Sequence, residues 1–274
     1  MGIDSGTLRL DDIEGAIRRR RIGRRIVFLP TTHSSNDEAW RRAGDEDADG
    51  LVVLTDHQSG GRGRFGRTWH APRGAGLLCS VLLIDGPGEL TGDRLGLIAA
   101  IAVRDAVMAC TEIRPSIQWP NDVMVRDRKL AGVLIESRTV GEGLRAYVIG
   151  IGINCLQHRA HFDADLMDKA TSLEIESRLR VDRTRLAIAL LDALDGWLAD
   201  PTAWGVSDLR SRWLAAADVL GRRVRVRQAG RYYEGSIIDV DPQSALVIRL
   251  DSGGIRAFSA GDTTVVSQGS ATAL

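Results

Sequence analysis

After Asp218 the hydrophobic period of the chain switches from helical to alternating, and this switch limits the possible fold more than any other feature. Arg222–Gln228, Gly235–Val240, Ala245–Leu250 and Gly254–Ser259 read as short strands separated by Gly, Asp-Pro and Ser-Gly-Gly turns. About 50 residues in that pattern make a small β-barrel or sandwich. Upstream the chain mixes both periods. Strands are expected at Arg25–Leu29, Leu51–Thr55, Gly76–Ile84, Ile117–Trp119, Val123–Val125, Leu130–Glu136 and Arg145–Ile153. Helices are expected at Asp11–Arg21, from a cap at Ser35 or Asn36 through Arg42, and at Leu90–Cys110, Leu186–Leu198 and Val206–Ala217. The sum is an α+β fold: a mixed central sheet with packing helices, followed by an all-β unit. The expected divisions are 1–24 (polar, Arg-rich), 25–217 and 218–268.

Bulk properties exclude several classes. Lys+Arg and Asp+Glu are both 36 in 274 residues, so the formal net charge is zero. Global charge gives no reason to expect nucleic acid or an anionic membrane as partner. The cluster Arg18–Arg21 with Arg24 and Arg25 reads as a solvated basic helix face. Cys79, Cys110 and Cys155 are isolated and offer no zinc spacing. No stretch approaches the roughly 18 apolar residues of a membrane span, and the start lacks a secretory apolar region. A cytoplasmic protein with reduced thiols is expected. His158 and His161 could ligate a metal, but their polar loop supplies no third ligand.

The stretch Gln58-Ser59-Gly60-Gly61-Arg62-Gly63-Arg64-Phe65-Gly66-Arg67-Thr68-Trp69 carries the strongest functional signal. Glycines let the main chain approach a ligand, and arginines supply permanent charge in a planar fork of donors. The loop reads as an anion clamp beside a ring-stacking surface; a solvated loop or nucleic-acid tail has similar composition. It lacks the Gly-Lys-Ser/Thr ending of a P-loop. Four segments accompany it. They are Ser34-Ser35-Asn36 at a strand-to-helix turn, Gln118-Trp119-Pro120-Asn121-Asp122 at a tight turn, Arg128-Lys129-Leu130-Ala131-Gly132-Val133-Leu134-Ile135-Glu136, and Gly150-Ile151-Gly152-Ile153-Asn154. In the last, the missing side chains are expected to leave room for a ligand.

In this order the five segments closely resemble the biotin protein ligase family, from about Ile26 to Val266. Leu220–Val266 resembles that family's SH3-like C-terminal domain. The resemblance implies an ATP-dependent ligase, a biotin–[acetyl-CoA-carboxylase] ligase. Such an enzyme activates biotin as biotinyl-5′-AMP and transfers it to a lysine of a biotin carboxyl carrier protein. It implies biotin-binding roles for Ser34, Ser35, Asn36, Gln58, Arg62, Gly63, Arg64 and Lys129. ATP or adenylate roles fall to Trp69, Asn121, Asn154 and Lys129. Catalytic roles fall to Lys129, Arg62, Arg64 and Asp122, the last facing the incoming lysine. Mg²⁺ is expected to accompany ATP, with no metal site of the protein's own. The family includes monomers and homodimers paired through the central sheet.

Two departures matter. The family usually has Lys where this chain has Gln118, so Lys129 and the loop arginines are expected to carry more of the charge stabilisation. Some family members add an N-terminal helix-turn-helix, which needs about 50–60 residues. Only 24 precede Arg25 here, so a monofunctional ligase without specific DNA binding is expected. Two other readings compete. A lipoate or octanoate transferase of the same superfamily would show a Gly-Gly-Gly stretch before a His-containing segment, absent here. A nucleic-acid regulator is disfavoured by the zero net charge.

Overall fold

The computed structural model describes residues 7–18, 20–85, 90–141, 143–199, 206–217, 219–241 and 245–271. Its first sheet is formed by β1 (Ile26–Leu29), β2 (Val52–Thr55), β3 (Gly76–Asp85), β4 (Ser116–Gln118), β5 (Asp122–Val125), β6 (Arg128–Val140) and β7 (Leu144–Asn154). The order is β1-β2-β3-β7-β6-β5-β4, with β1 and β2 parallel and every other pair antiparallel. The helices are α1 (Leu10–Ala16), α2 (Ser35–Arg41), α3 (Gly92–Cys110), α4 (Leu173–Glu176), α5 (Arg183–Leu198) and α6 (Val206–Ala217). No helix among the described residues is long and apolar enough to cross a membrane.

The strand period of two divides this sheet into a packing face and a site face. On β7, Tyr147, Ile149, Ile151 and Ile153 join the core shared with α3 and α5. Between them, Gly150 and Gly152 turn to the opposite face, where α2 and the Gly/Arg loop lie. On β6, Ala131 and Val133 belong to the same core, while Gly132 and Leu134 look into the cleft. α3 buries Leu95, Ile98, Ala99, Ala102, Val103 and Ala106, a helical stripe, and is capped by Thr91 Oγ1, which accepts from Arg94 N–H. α5 is capped by Asp182, whose carboxylate accepts from Thr184 and Arg185 N–H. A smaller core of Ala39, Trp40, Leu51, Val53, Leu82 and Val148 holds α2 on the site face.

The N-terminal segment departs from expectation. α1 ends at Ala16, and the arginine cluster is a non-helical strap rather than a solvated helix face. The buried carboxylate of Asp195 on α5 draws it in, accepting N–H bonds from Arg20 (3.1 Å), Arg21 (2.8 Å) and Ile22 (2.9 Å). Arg21 is further tied to Asp49 at 2.9 and 2.8 Å, and Arg25 to Asp45 and Asp47 at 2.8 Å each. Arg19 lies outside the described residues. Carboxylates supplied from distant parts of the chain outcompete the helix ladder here.

The second sheet comprises β8 (Arg222–Gln228), β9 (Arg231–Asp241), β10 (Ala245–Leu250), β11 (Ile255–Ser259) and β12 (Thr263–Ala271) in the order β11-β10-β9-β8-β12, all antiparallel. β12 was not foreseen. Its Thr-Thr-Val-Val-Ser-Gln does not alternate, and its register against β8 shifts twice. α6 connects the two units, touching β4 and α3 on one side and β9 on the other.

Candidate functional site

The site face of the first sheet opens into a cleft of about 1010 Å³. Every residue singled out from the five sequence segments lines it: Ser34, Ser35, Asn36, Gln58, Arg62, Gly63, Arg64, Trp69, Asn121, Asp122, Lys129 and Asn154, together with Gln118.

Its inner end is built by the turn into α2. Ser34 is the N-cap residue but makes no side-chain cap bond, and Ser35 and Asn36 are buried, directed into the protein. Gln58 Oε1 accepts from Ser35 N–H (2.8 Å) and Ser35 Oγ (3.0 Å), tying the turn to the start of the Gly/Arg loop. Ser80 Oγ, from β3, donates to Asn36 Oδ1 (2.6 Å) and lies 2.7 Å from Ser35 Oγ. Asn36 Nδ2 is buried with no partner. The glycines of the Gly150–Asn154 segment do not leave empty space as expected. A Cβ at Gly150 would overlap Asn36 Oδ1, and one at Gly152 would lie 2.6 Å from Trp69 Nε1. Side chains from other segments occupy the room, so these glycines seat Asn36 and Trp69 against the sheet.

The Gly/Arg loop is a narrow ribbon. Trp69 N–H donates to Gly61 O (2.9 Å), Arg62 pairs with Thr68, and Gly63 N–H donates to Arg67 O (2.7 Å). Phe65 at the tip takes the left-handed conformation (φ 56°), followed by Gly66 (φ 73°). Arg62 grips Asp37 bidentately (2.9 and 2.7 Å) and also reaches Glu136 at 3.1 Å. The bond to Asp37 raises the Arg62 pKa, and the same bond holds the Asp37 carboxyl below its ordinary value. Glu136 accepts in addition from Trp40 Nε1 (2.8 Å). Two carboxylates therefore neutralise Arg62. Arg64 stacks on Phe65 at 4.7 Å and donates to Asn121 Oδ1 (3.4 Å) and to the Ala260 carbonyl in the turn between β11 and β12. Burial pulls the Arg64 pKa down.

The opposite wall is the β4–β5 hairpin, whose Trp119–Pro120 peptide is cis. Gln118 and Asp122 face each other across it. Asp122 Oδ1 pairs with Lys129 Nζ at 2.7 Å, and Lys129 Nζ sits 5.7 Å from the centre of the Trp69 ring. The chain at Lys129 is clamped from both sides: its N–H donates to Lys169 O (2.7 Å) and its carbonyl accepts from Thr171 N–H (2.9 Å). Trp69 Nε1 is buried without a partner. Asn154 has both amide groups engaged, donating to Thr171 O (3.0 Å) and accepting from Gln157 Nε2 (2.8 Å), so its side chain fixes the loop after β7. His158 and His161 form a local turn in which His161 Nδ1 accepts from His158 N–H (3.1 Å). No group of three or more His, Cys, Asp or Glu able to hold a metal occurs among the described residues.

Sequence reasoning missed several participants. Asp37 and Glu136 directly follow or end recognised segments, but their partner Arg62 is distant in sequence. Ser80 sits in an apolar strand, where one hydroxyl reads as noise. Asp163, Asp165 and Lys169 belong to a polar loop, and Thr263–Val266 to the strand that was not foreseen.

Comparison with known proteins agrees with this geometry. Residues 27–154 match the Biotin/lipoate A/B protein ligase family, and residues 219–263 match the Biotin protein ligase C terminal domain. The chain is 36% identical over 267 residues to the biotin–[acetyl-CoA-carboxylase] ligase of Mycobacterium tuberculosis, covering 91% of this chain and 94% of that one. It is 34% identical over 234 residues to the ligase of the same name from Paracoccus denitrificans, covering 82% and 95%. The biotin protein ligase from Aquifex aeolicus, solved in complex with biotin and ATP, matches with a TM-score of 0.75 and 25% identity, covering 88% of this chain and 98% of that chain. By its sequence segments, its two matched domains and its fold, this chain belongs to the biotin protein ligase family.

Proposed function

We propose that the protein activates biotin with ATP and transfers the biotinyl group to a lysine of a biotin carboxyl carrier protein. The observation that carries this reading is the convergence of five sequence segments on one face of β6 and β7. Cations stand at the loop and hairpin, and two buried donors, Asn36 Nδ2 and Trp69 Nε1, lack acceptors. An unpartnered buried donor costs about 1–3 kcal/mol, which a ligand acceptor recovers.

In the first step the biotin carboxylate attacks the α-phosphorus of ATP, forming the acyl–phosphate bond and expelling pyrophosphate. Two anions approach each other, so the step needs preorganised positive charge. Lys129, swinging from Asp122 onto the reacting oxygens, and Arg64 supply it. Arg62, held by Asp37 and Glu136, fixes the loop and contributes less bare charge. ATP arrives as its Mg²⁺ complex, the ion carried by the phosphates. Trp69 walls the adenine side, and Ser35, Asn36 and Gln58 hold the biotin head.

In the second step the carrier amine attacks the acyl carbon, forming the amide and expelling AMP. Only about one lysine in 10³ is neutral near pH 7. With Lys129 drawn to phosphate, Asp122 is released to face the incoming ammonium and accept its proton. Three free cysteines fit a reducing cytoplasm, and burial pushes the thiols of Cys79 and Cys155 up to about 12. Incubation with radiolabelled biotin, ATP and an apo carrier domain should label the carrier, and excess lipoate should not compete. Absence of biotin-dependent pyrophosphate exchange would refute the activation step.

A further inference from the structure

The outer face of the second sheet begins at the rim of the cleft. Thr263, Thr264, Val265 and Val266, on the edge strand β12, line the cleft. Thr264 lies opposite Arg227 on β8, which lies opposite Tyr232 on β9. Residues paired in this way point to one face. β8 alternates strictly, with Val224 and Val226 buried and Arg223, Arg225 and Arg227 exposed. Arg249 on β10 joins the same face, because Ser236 of β9 is paired with both Arg223 and Arg249. Arg223 is matched by Asp251, and Arg225 by Glu234 at 3.2 Å. Arg227 and Arg249 are exposed and have no carboxylate at ion-pair distance among the described residues. A chain of zero net charge thus carries an arginine face leading away from its cleft.

We propose that this face docks the carrier through an acidic surface beside its target lysine. The proposal rests on the ligase reading given above. A lysine side chain extends only about 6 Å. A carrier domain of roughly 80 residues has a radius of gyration of about 12 Å. Its body must therefore rest on the rim while the amine reaches the adenylate. Adjacent strands are about 4.8 Å apart, so Arg227 lies one strand beyond the rim residue Thr264. A domain seated across β12 covers it. Covering unpaired guanidinium groups with an apolar or basic surface carries a desolvation cost, whereas facing carboxylates offset it and steer the encounter.

The test uses the full chain with Arg227→Glu and Arg249→Glu combined, and Arg227→Lys as the conservative variant. Three readouts are compared: biotin-dependent pyrophosphate exchange, trapping of the adenylate by hydroxylamine, and transfer to a folded apo carrier domain of net negative charge. The double variant should raise the KM for carrier roughly tenfold at low salt while exchange and trapping stay unchanged; Arg227→Lys should keep the wild-type value. Wild-type transfer should weaken between roughly 0.02 and 0.3 M salt more steeply than transfer by the double variant. A carrier KM within twofold of wild type in a folded double variant overturns the proposal. So does a rise in the KM for ATP instead, which would give the face to the nucleotide. Charge-dependent retention on duplex DNA with an unchanged carrier KM would give it to nucleic acid and overturn it likewise. A wild-type protein without pyrophosphate exchange would remove the ligase reading and this proposal with it, a result distinct from an unchanged carrier KM.

Discussion

Alanine at Gly152 and alanine at Gly150 should impair different substrates, although the two positions are neighbours on one face of β7. A Cβ at residue 152 would lie 2.6 Å from Trp69 Nε1 and 2.7 Å from Cζ2. Carbon atoms pack best at about 3.5–4.0 Å, so the ring must withdraw by roughly 1 Å. The ring is rigid, and the Trp69 backbone is fixed to Gly61 O at 2.9 Å, so the whole side chain has to tilt. Overpacking of this kind costs about 1–3 kcal/mol. A Cβ at residue 150 would instead lie 3.0 Å from Asn36 Cγ and overlap its Oδ1, disrupting the bond from Ser80. Misplacing a binding group by about 1 Å can cost on the order of 100-fold in rate. Gly152→Ala should raise the KM for ATP at least roughly tenfold and leave biotin affinity within a few-fold; Gly150→Ala should do the reverse. Gly96→Ala on α3 is the control: its Cβ meets only Ile135 at 3.9 Å, and it should be neutral or stabilising by up to about 1 kcal/mol. Pyrophosphate exchange with ATP and biotin varied separately reads the split, and thermal melts read the stability. Equal effects of Gly150→Ala and Gly152→Ala on both KM values would refute the division of the cleft into a biotin end and an adenine end.

Three further outcomes are expected. Burial pushes the Asp195 carboxyl up, but N–H bonds from Ile22, Arg21 and Arg20 outweigh it and hold it below its ordinary 3.8. Its contribution is therefore complete above that value and is lost as pH falls through the lower folded value. Asp195→Ala should cost roughly 3 kcal/mol by urea unfolding at pH 7, and its deficit relative to wild type should shrink in acid. Asp122→Asn should still exchange pyrophosphate yet transfer biotin slowly, and full transfer activity would exclude Asp122 from the second step. Gln118→Lys should lower the KM for ATP, and an unchanged value would show that charge at this position is unimportant.

The site was more legible than its wiring. The site segments are strands or turns beside them, and those are local features: Ser34–Asn36 after β1, Asn121–Asp122 in a hairpin, Gly150–Asn154 in β7. What each residue touches depends on chain closure. Arg62 read as a cation awaiting an anion, but Asp37 and Glu136 reach it across 25 and 74 residues. The arginine strap read as helix because its local composition favours one, whereas Asp195, more than 170 residues away, takes its N–H groups. β12 lacked clean alternation because its register slips against β8, and so the second sheet's contribution to the cleft went unread.

The ribbon of the Gly/Arg loop is tied to the rest of the protein mainly through charge and hydrogen bonds. Arg62 reaches α2 and β6, and Arg64 reaches the hairpin and the turn between β11 and β12, while Phe65 at the tip is 54% exposed. Lifting the tip of the ribbon, with Trp69 left seated on Gly152, would break those polar ties while exposing little new apolar surface, so its heat-capacity change would be small. Its open fraction would rise with ionic strength, which screens the half-exposed pairs of Arg62 with Asp37 and Glu136. Salt would therefore raise how often the adenylate meets water.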